Sequence, residues 1–132
     1  MVITMEKLLL SEGEWKIMNV LWNEGSAGLM ELVKKLEDET SWSKSTVFVM
    51  MKRLAAKEAV RVDTSGKVQR YLPLIDRADA ESSETGSFLS KVYRGSLRLM
   101  MSSLVEQKSL SREDIAKLRQ ILDDAERELD AE

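Results

Sequence analysis

Apolar side chains recur along this chain with two different periods, and the change of period divides it. Behind Ser11, the residues Trp15, Met18, Leu21 and Trp22 lie at helical spacing, and Gly25 supplies a stop. Ser11 followed by Glu14 has the form of a capping box: the hydroxyl accepts from a free helix-start amide while the carboxylate reaches back. A second helix is predicted from Ser26, burying Leu29, Leu32, Val33 and Leu36, until the polar run EDETS interrupts it. A third begins near Ser43 and carries Val47, Met50, Met51 and Leu54 on one buried face. After Ala59 the period shortens. VRV and VQRYL alternate as strands do, with DTSGK between them. Gly66 is expected to provide the positive φ of a tight hairpin, and Pro73 to end the second strand where no ladder amide is needed.

From Asp76 onward the spacing is helical again. One helix is predicted through Phe88, Leu89 and Val92 to about Tyr93, with Gly95 as a break, and another carries Leu97, Met100, Met101 and Leu104. Ser111 with Asp114 is a weaker cap signal, since the box prefers Glu or Gln at its third position. It opens a last helix on which Ile115, Leu118, Leu122, Ala125 and Leu129 form a heptad seam. The expected fold is mainly α with a small β-hairpin. Residues 1–75 form a winged helix-turn-helix domain and residues 76–132 a C-terminal helical dimerisation domain.

Composition narrows the chemistry. With 43% hydrophobic and 33% charged residues in 132, the chain is a folded protein of ordinary core size. It has no cysteine and no histidine, which removes disulfides, thiolate metal sites and the commonest general base together. No loop has calcium-site spacing, no phosphate loop occurs and no nucleophile sits beside a base, so neither a cofactor nor an enzymatic activity is expected. The opening MVITMEKLLL has one Lys and an apolar run only from Leu8 to Leu10, unlike a secretory signal. No membrane-spanning run occurs elsewhere, and a cytoplasmic protein is expected.

Charge is distributed unevenly. Net charge is −3 overall, yet residues 43–70 hold seven Lys and Arg against only Glu58 and Asp63. With Val47 turned to the core, Ser45, Val49, Lys52 and Ala56 fall on the opposite face of the third helix, with Phe48 and Arg53 on its flanks. Small residues Ser43, Ser45 and Thr46 leave the helix start slim enough to approach a duplex, and its amides can meet a phosphate. Lys44, Lys52, Lys67 and Arg70 can neutralise phosphates, which supplies affinity but little sequence information. The candidate DNA-binding set is therefore Ser43, Lys44, Ser45, Thr46, Val49, Lys52, Arg53, Lys67 and Arg70. Phe48 and Val49 can both meet thymine methyls, or Phe48 can instead complete the core edge under the hairpin; the first reading is favoured for Val49 and the second for Phe48. A surface rich in Lys can also be no more than a solvated face.

The candidate dimerisation residues are Phe88, Val92, Leu97, Met100, Leu104, Ile115, Leu118 and Leu122, more apolar surface than a small arm covers internally. The alternative is that they pack back onto the first domain. A second copy makes the second DNA contact intramolecular and matches a two-fold operator.

LSEGEWKIMNVLW, WSKSTVFVMMKRLAAKEAV, VQRYLPL, FLSKVYRGSL and LSREDIAKLRQIL, in that order, resemble the BlaI/MecI/CopY family of penicillinase-type repressors over about Leu10 to Leu129. The resemblance implies a homodimeric winged-helix repressor on an inverted-repeat operator, relieved by an inducing signal. Departures from the family pattern qualify it. The family usually has glycine after the lysine matching Lys57, where this chain has Glu58-Ala59. Some members carry a polar or basic side chain at the position of Phe48, so an operator sequence does not transfer. The cysteine-rich tail of the copper-responsive branch is absent, and the tail here is ELDAE. The β-lactam-responsive branch is inactivated by proteolysis, but the matching MMSSLVEQ lacks its Asn-Phe-type bond, leaving an inducing sensor protease as an open partner. A protein-binding winged helix and a small-ligand-responsive regulator stand as alternatives. Trp15 and Trp22 have core spacing, which weighs against the second.

Overall fold

A computed structural model describes residues 9–132; the reading of the leader falls on residues 1–8 and lies outside them. Helix α1 (Glu12–Glu24) begins with the expected capping box: Ser11 N–H donates to Glu14 Oε1 at 2.7 Å and Glu14 N–H to Ser11 Oγ at 3.2 Å. It stops at Gly25, whose φ of +85° only glycine adopts without strain. Helix α2 (Leu29–Lys35) starts later than the spacing predicts. Ala27 and Tyr71 exchange two backbone hydrogen bonds, of 3.1 and 2.8 Å, so this stretch is spent as a third rung beside the hairpin. Gly28 becomes the cap in place of Ser26, with its N–H on Glu31 Oε1.

Helix α3 (Lys44–Ala56) starts at Ser43, whose Oγ accepts from Thr46 N–H at 3.2 Å. Its end closes without the family's glycine. Glu58 takes the left-handed position itself at φ +63°, donating to Ala55 O while Ala59 N–H returns to Leu54 O. The hairpin pairs β1 (Val60–Asp63) antiparallel with β2 (Arg70–Pro73), Val60 opposite Pro73 and Asp63 opposite Arg70. Pro73 ends its strand as expected. The tight turn at Gly66 is not found. Gly66 has no positive φ, and Val68 and Gln69 lie in a longer loop outside the strand. Asp63 does the turning: its Oδ1 accepts from Ser65 N–H at 2.9 Å and Ser65 Oγ at 2.7 Å.

These elements enclose one core of Ile17, Met18 and Leu21 from α1, Leu32 from α2, Val47, Met51 and Leu54 from α3, and Val60 and Tyr71 from the hairpin. Trp15 and Trp22 pack against its edge, ring centroids 5.8 Å apart, and Trp22 Nε1 donates to Ile75 O at 2.9 Å. Beyond the hairpin come α4 (Arg77–Tyr93), α5 (Leu97–Glu106) and α6 (Arg112–Ala131). Ser111 and Asp114 do form a complete capping box, both bonds at 3.0 Å. The chain forms two compact units, the first ending at Ser87 and the second running from Phe88 to Glu132. The division expected after residue 75 follows the end of the hairpin. Packing carries the first unit further, because Ala80 and Ser83 on the opening turns of α4 are buried. No helix of the described residues is long and apolar enough to cross a membrane.

Candidate nucleic-acid interface

Burying Val47, Met51 and Leu54 fixes the rotation of α3 and forces its other side outward. Ser43, Lys44, Ser45, Thr46, Val49, Lys52 and Arg53 are all exposed on that side, and α3 contains no acidic residue. Ser45, Thr46, Val49, Met50 and Arg53 line a shallow cleft of about 380 Å³ along the helix. Val49 is 48% exposed, which leaves its methyls free to meet another apolar group. Phe48 departs from expectation. It is 41% exposed and lies outside the core edge, because Tyr71 and Val60 already fill the space under the hairpin.

A second concavity, of about 540 Å³, lies between the start of α2, the first residue of α3 and the hairpin. Lys44, Lys67 and Arg70 all line it, together with Met30, Val68 and Glu31, the acid that pairs with Arg70. Three cations remote in sequence thus converge on one hollow beside the exposed face of α3. Asp63, near the loop, is occupied by Ser65, whose hydroxyl and amide hold its carboxyl below the usual aspartate range.

Two of the seven cations between residues 43 and 70 have internal duties that spacing does not reveal. Arg70 donates from Nε to Ser26 Oγ at 3.0 Å, from one terminal nitrogen to Ser26 O at 3.1 Å and from the other to Glu31 Oε1 at 3.3 Å. A guanidinium has five N–H donors, so edges remain for an anion, but the side chain also ties the hairpin to α2. Lys57 reaches back to α1, with Nζ 2.5 Å from Glu14 Oε1 and 3.3 Å from Leu9 O. Glu14 is buried, which raises its pKa. The Lys57 hydrogen bond and charge and the Ser11 amide outweigh that and hold it below the ordinary glutamate range. The only signal for either pairing was the excess of cations itself, which says nothing of distant carboxylates.

The candidate dimerisation residues all fall in the second unit. Phe88, Val92, Leu97, Ile115 and Leu122 are exposed, and Met100, Leu104 and Leu118 are half-buried. From Phe88 to Glu132 no residue is fully buried. Phe88 meets Tyr93 edge to face at 5.9 Å. The apolar seam of α6 is exposed at Ile115, Leu122 and Leu129.

A family model described as penicillinase repressor matches residues 10–124. The penicillinase repressor of Bacillus licheniformis is 35% identical over 115 residues, covering 87% of this chain and 90% of that protein. The methicillin resistance regulatory protein MecI of Staphylococcus aureus (strain N315) is 27% identical over 113 residues, covering 86% and 92%. A solution structure of the Bacillus licheniformis BlaI monomeric form in complex with the blaP half-operator matches with 34% identity and a TM-score of 0.48. It covers 53% of this chain and 85% of that one.

Proposed function

The chain belongs to the penicillinase repressor family, and on that footing we propose that it is a DNA-binding transcriptional repressor acting as a homodimer on an inverted-repeat operator. The observation that carries the DNA-binding reading is the outer face of α3: exposed, free of acids, carrying Lys52 and flanked by Arg53, beside the hollow lined by Lys44, Lys67 and Arg70. A helix of this diameter fits the major groove of B-DNA. Ser43, Ser45 and Thr46 let its start approach closely, and Val49 presents methyls at the height of base edges. Lys44 and Lys67, in that one hollow, take phosphates beside the helix, and Arg70 holds the hairpin against α2 while offering its remaining donors.

Pairing through α4, α5 and α6 supplies the second half-site. One module buries little surface on DNA, and joining two makes the second contact intramolecular. The unburied seam of the second unit supports this part of the reading. An inducing signal that separates the pair then removes repression by restoring the weak single contact. The operator lies in the cytoplasm, and so does the protein.

The test is binding of the full chain to DNA taken from upstream of its own gene, measured at several salt concentrations and followed by footprinting. Expected are affinity that falls steeply with salt and two protected half-sites about one helical turn apart or a multiple of it. Binding without salt dependence, or a single protected site at saturation, overturns the reading.

A further inference from the structure

Phe48 is the one large aromatic side chain on the exposed side of α3, and it stands against the cation that this side presents at its centre. Lys52, one turn further on, sets its Nζ 5.1 Å from the centroid of the Phe48 ring. At that range the negative face of the ring attracts an ammonium. Because α3 has no acidic residue, and because Lys52 forms no ion pair among the described residues, the ring is the partner that orders this amine. Lysine side chains carry many rotamers, and ordering one on binding opposes affinity. A ring that already restricts the chain reduces that loss.

We propose that Phe48 is a positioning residue for DNA binding, its ring holding the Lys52 ammonium ready for a backbone phosphate. The proposal rests on the DNA-binding reading above. The role belongs to this chain's own pairing of an aromatic at 48 with lysine at 52. Phe48 itself need not touch the duplex, and its effect on affinity passes through the charge beside it.

The experiment is a double-mutant cycle on the full chain, with one duplex selected by the unmodified protein from a random-sequence pool. Phe48→Leu, Phe48→Tyr, Lys52→Ala and the Phe48→Leu/Lys52→Ala pair are titrated across a salt series, with thermal unfolding checked for each. Phe48→Leu is expected to weaken binding by about two- to fivefold, part of the cost of ordering a rotamer-rich side chain on binding that the ring otherwise reduces. Phe48→Tyr, which keeps the ring, is expected to restore it. Lys52→Ala lowers the salt slope by about 0.9 for each phosphate that is no longer neutralised, while Phe48→Leu leaves the slope unchanged. In the Lys52→Ala background the leucine substitution has no further effect. Equal losses with and without Lys52 mean that Phe48 contacts DNA directly and overturn the proposal, as does no loss at all. Failure of the unmodified protein to select or bind any duplex sinks the DNA-binding reading instead, and is seen before any variant is made.

Discussion

Glu14 takes part in two interactions that pull in the same direction. It completes the cap of α1 through Ser11, and with its side chain buried it receives Lys57 from the end of α3. The cap was legible in the sequence, since donor and acceptor stand three residues apart. Lys57 was not, because 43 residues separate the partners and the two helix ends meet only after folding. Lys57→Met leaves the buried carboxylate without its cation. About 1–3 kcal/mol of stability is expected to go, less than for a fully interior pair since Lys57 is partly in water; urea unfolding at neutral pH measures it. The pH dependence has a fixed sign. Glu14 is depressed in the folded protein, so its contribution is complete above the unfolded value of about 4.3 and is lost as pH falls through the folded value. Glu14→Gln is therefore expected to be less stable than the parent at pH 7, with the gap narrowing towards pH 3.

Helices were read nearly to their ends, because caps and heptads are local. Ser111 caps where its spacing placed it, the third helix begins at Ser43 as expected, and Ser43→Ala, which removes its cap, is expected to cost about 1 kcal/mol in chemical unfolding. The errors lie where an element answers to a distant one. Helix α2 lost its first turn to the Ala27–Tyr71 rung, and the hairpin loop is longer than its glycine suggested because Asp63 makes the turn. Lys67 and Arg70 looked equivalent as cations able to neutralise phosphates. The fold separates them, since Arg70 is bonded to Ser26 and Glu31 while Lys67 is exposed. Lys67→Ala is expected to flatten the salt dependence of DNA binding without moving the unfolding midpoint. Arg70→Ala is expected to lower both, the midpoint by the loss of about 1 kcal/mol of bonding. Identical behaviour of the two variants would count against the role given to Arg70.

For the molecule as a whole, the division of labour was visible as charge: cations between Lys44 and Arg70, acids gathered towards the end. What no pattern could supply is the degree of burial. In the first unit the apolar stripes of three helices meet one another. In the second, no residue is fully buried and Leu122 is 64% exposed. Such helices depend on a covering surface, since short ones are marginal alone. Leu118→Asp, on the seam of α6, is expected to give a monomer by sedimentation at micromolar concentration and to reduce helicity by circular dichroism. The core of the first unit should remain, seen as unchanged fluorescence from Trp15 and Trp22. A monomeric parent at the same concentration would remove the basis for pairing.

The uncovered seam also bears on how the cell reads this protein. If two chains must meet before the seam is covered, dilute protein forms pairs in proportion to the square of its abundance, so halving the copy number leaves about a quarter of the pairs. Growth that outruns synthesis, or a brief pause in translation, then empties the operator more sharply than loss of the same fraction of a one-chain regulator.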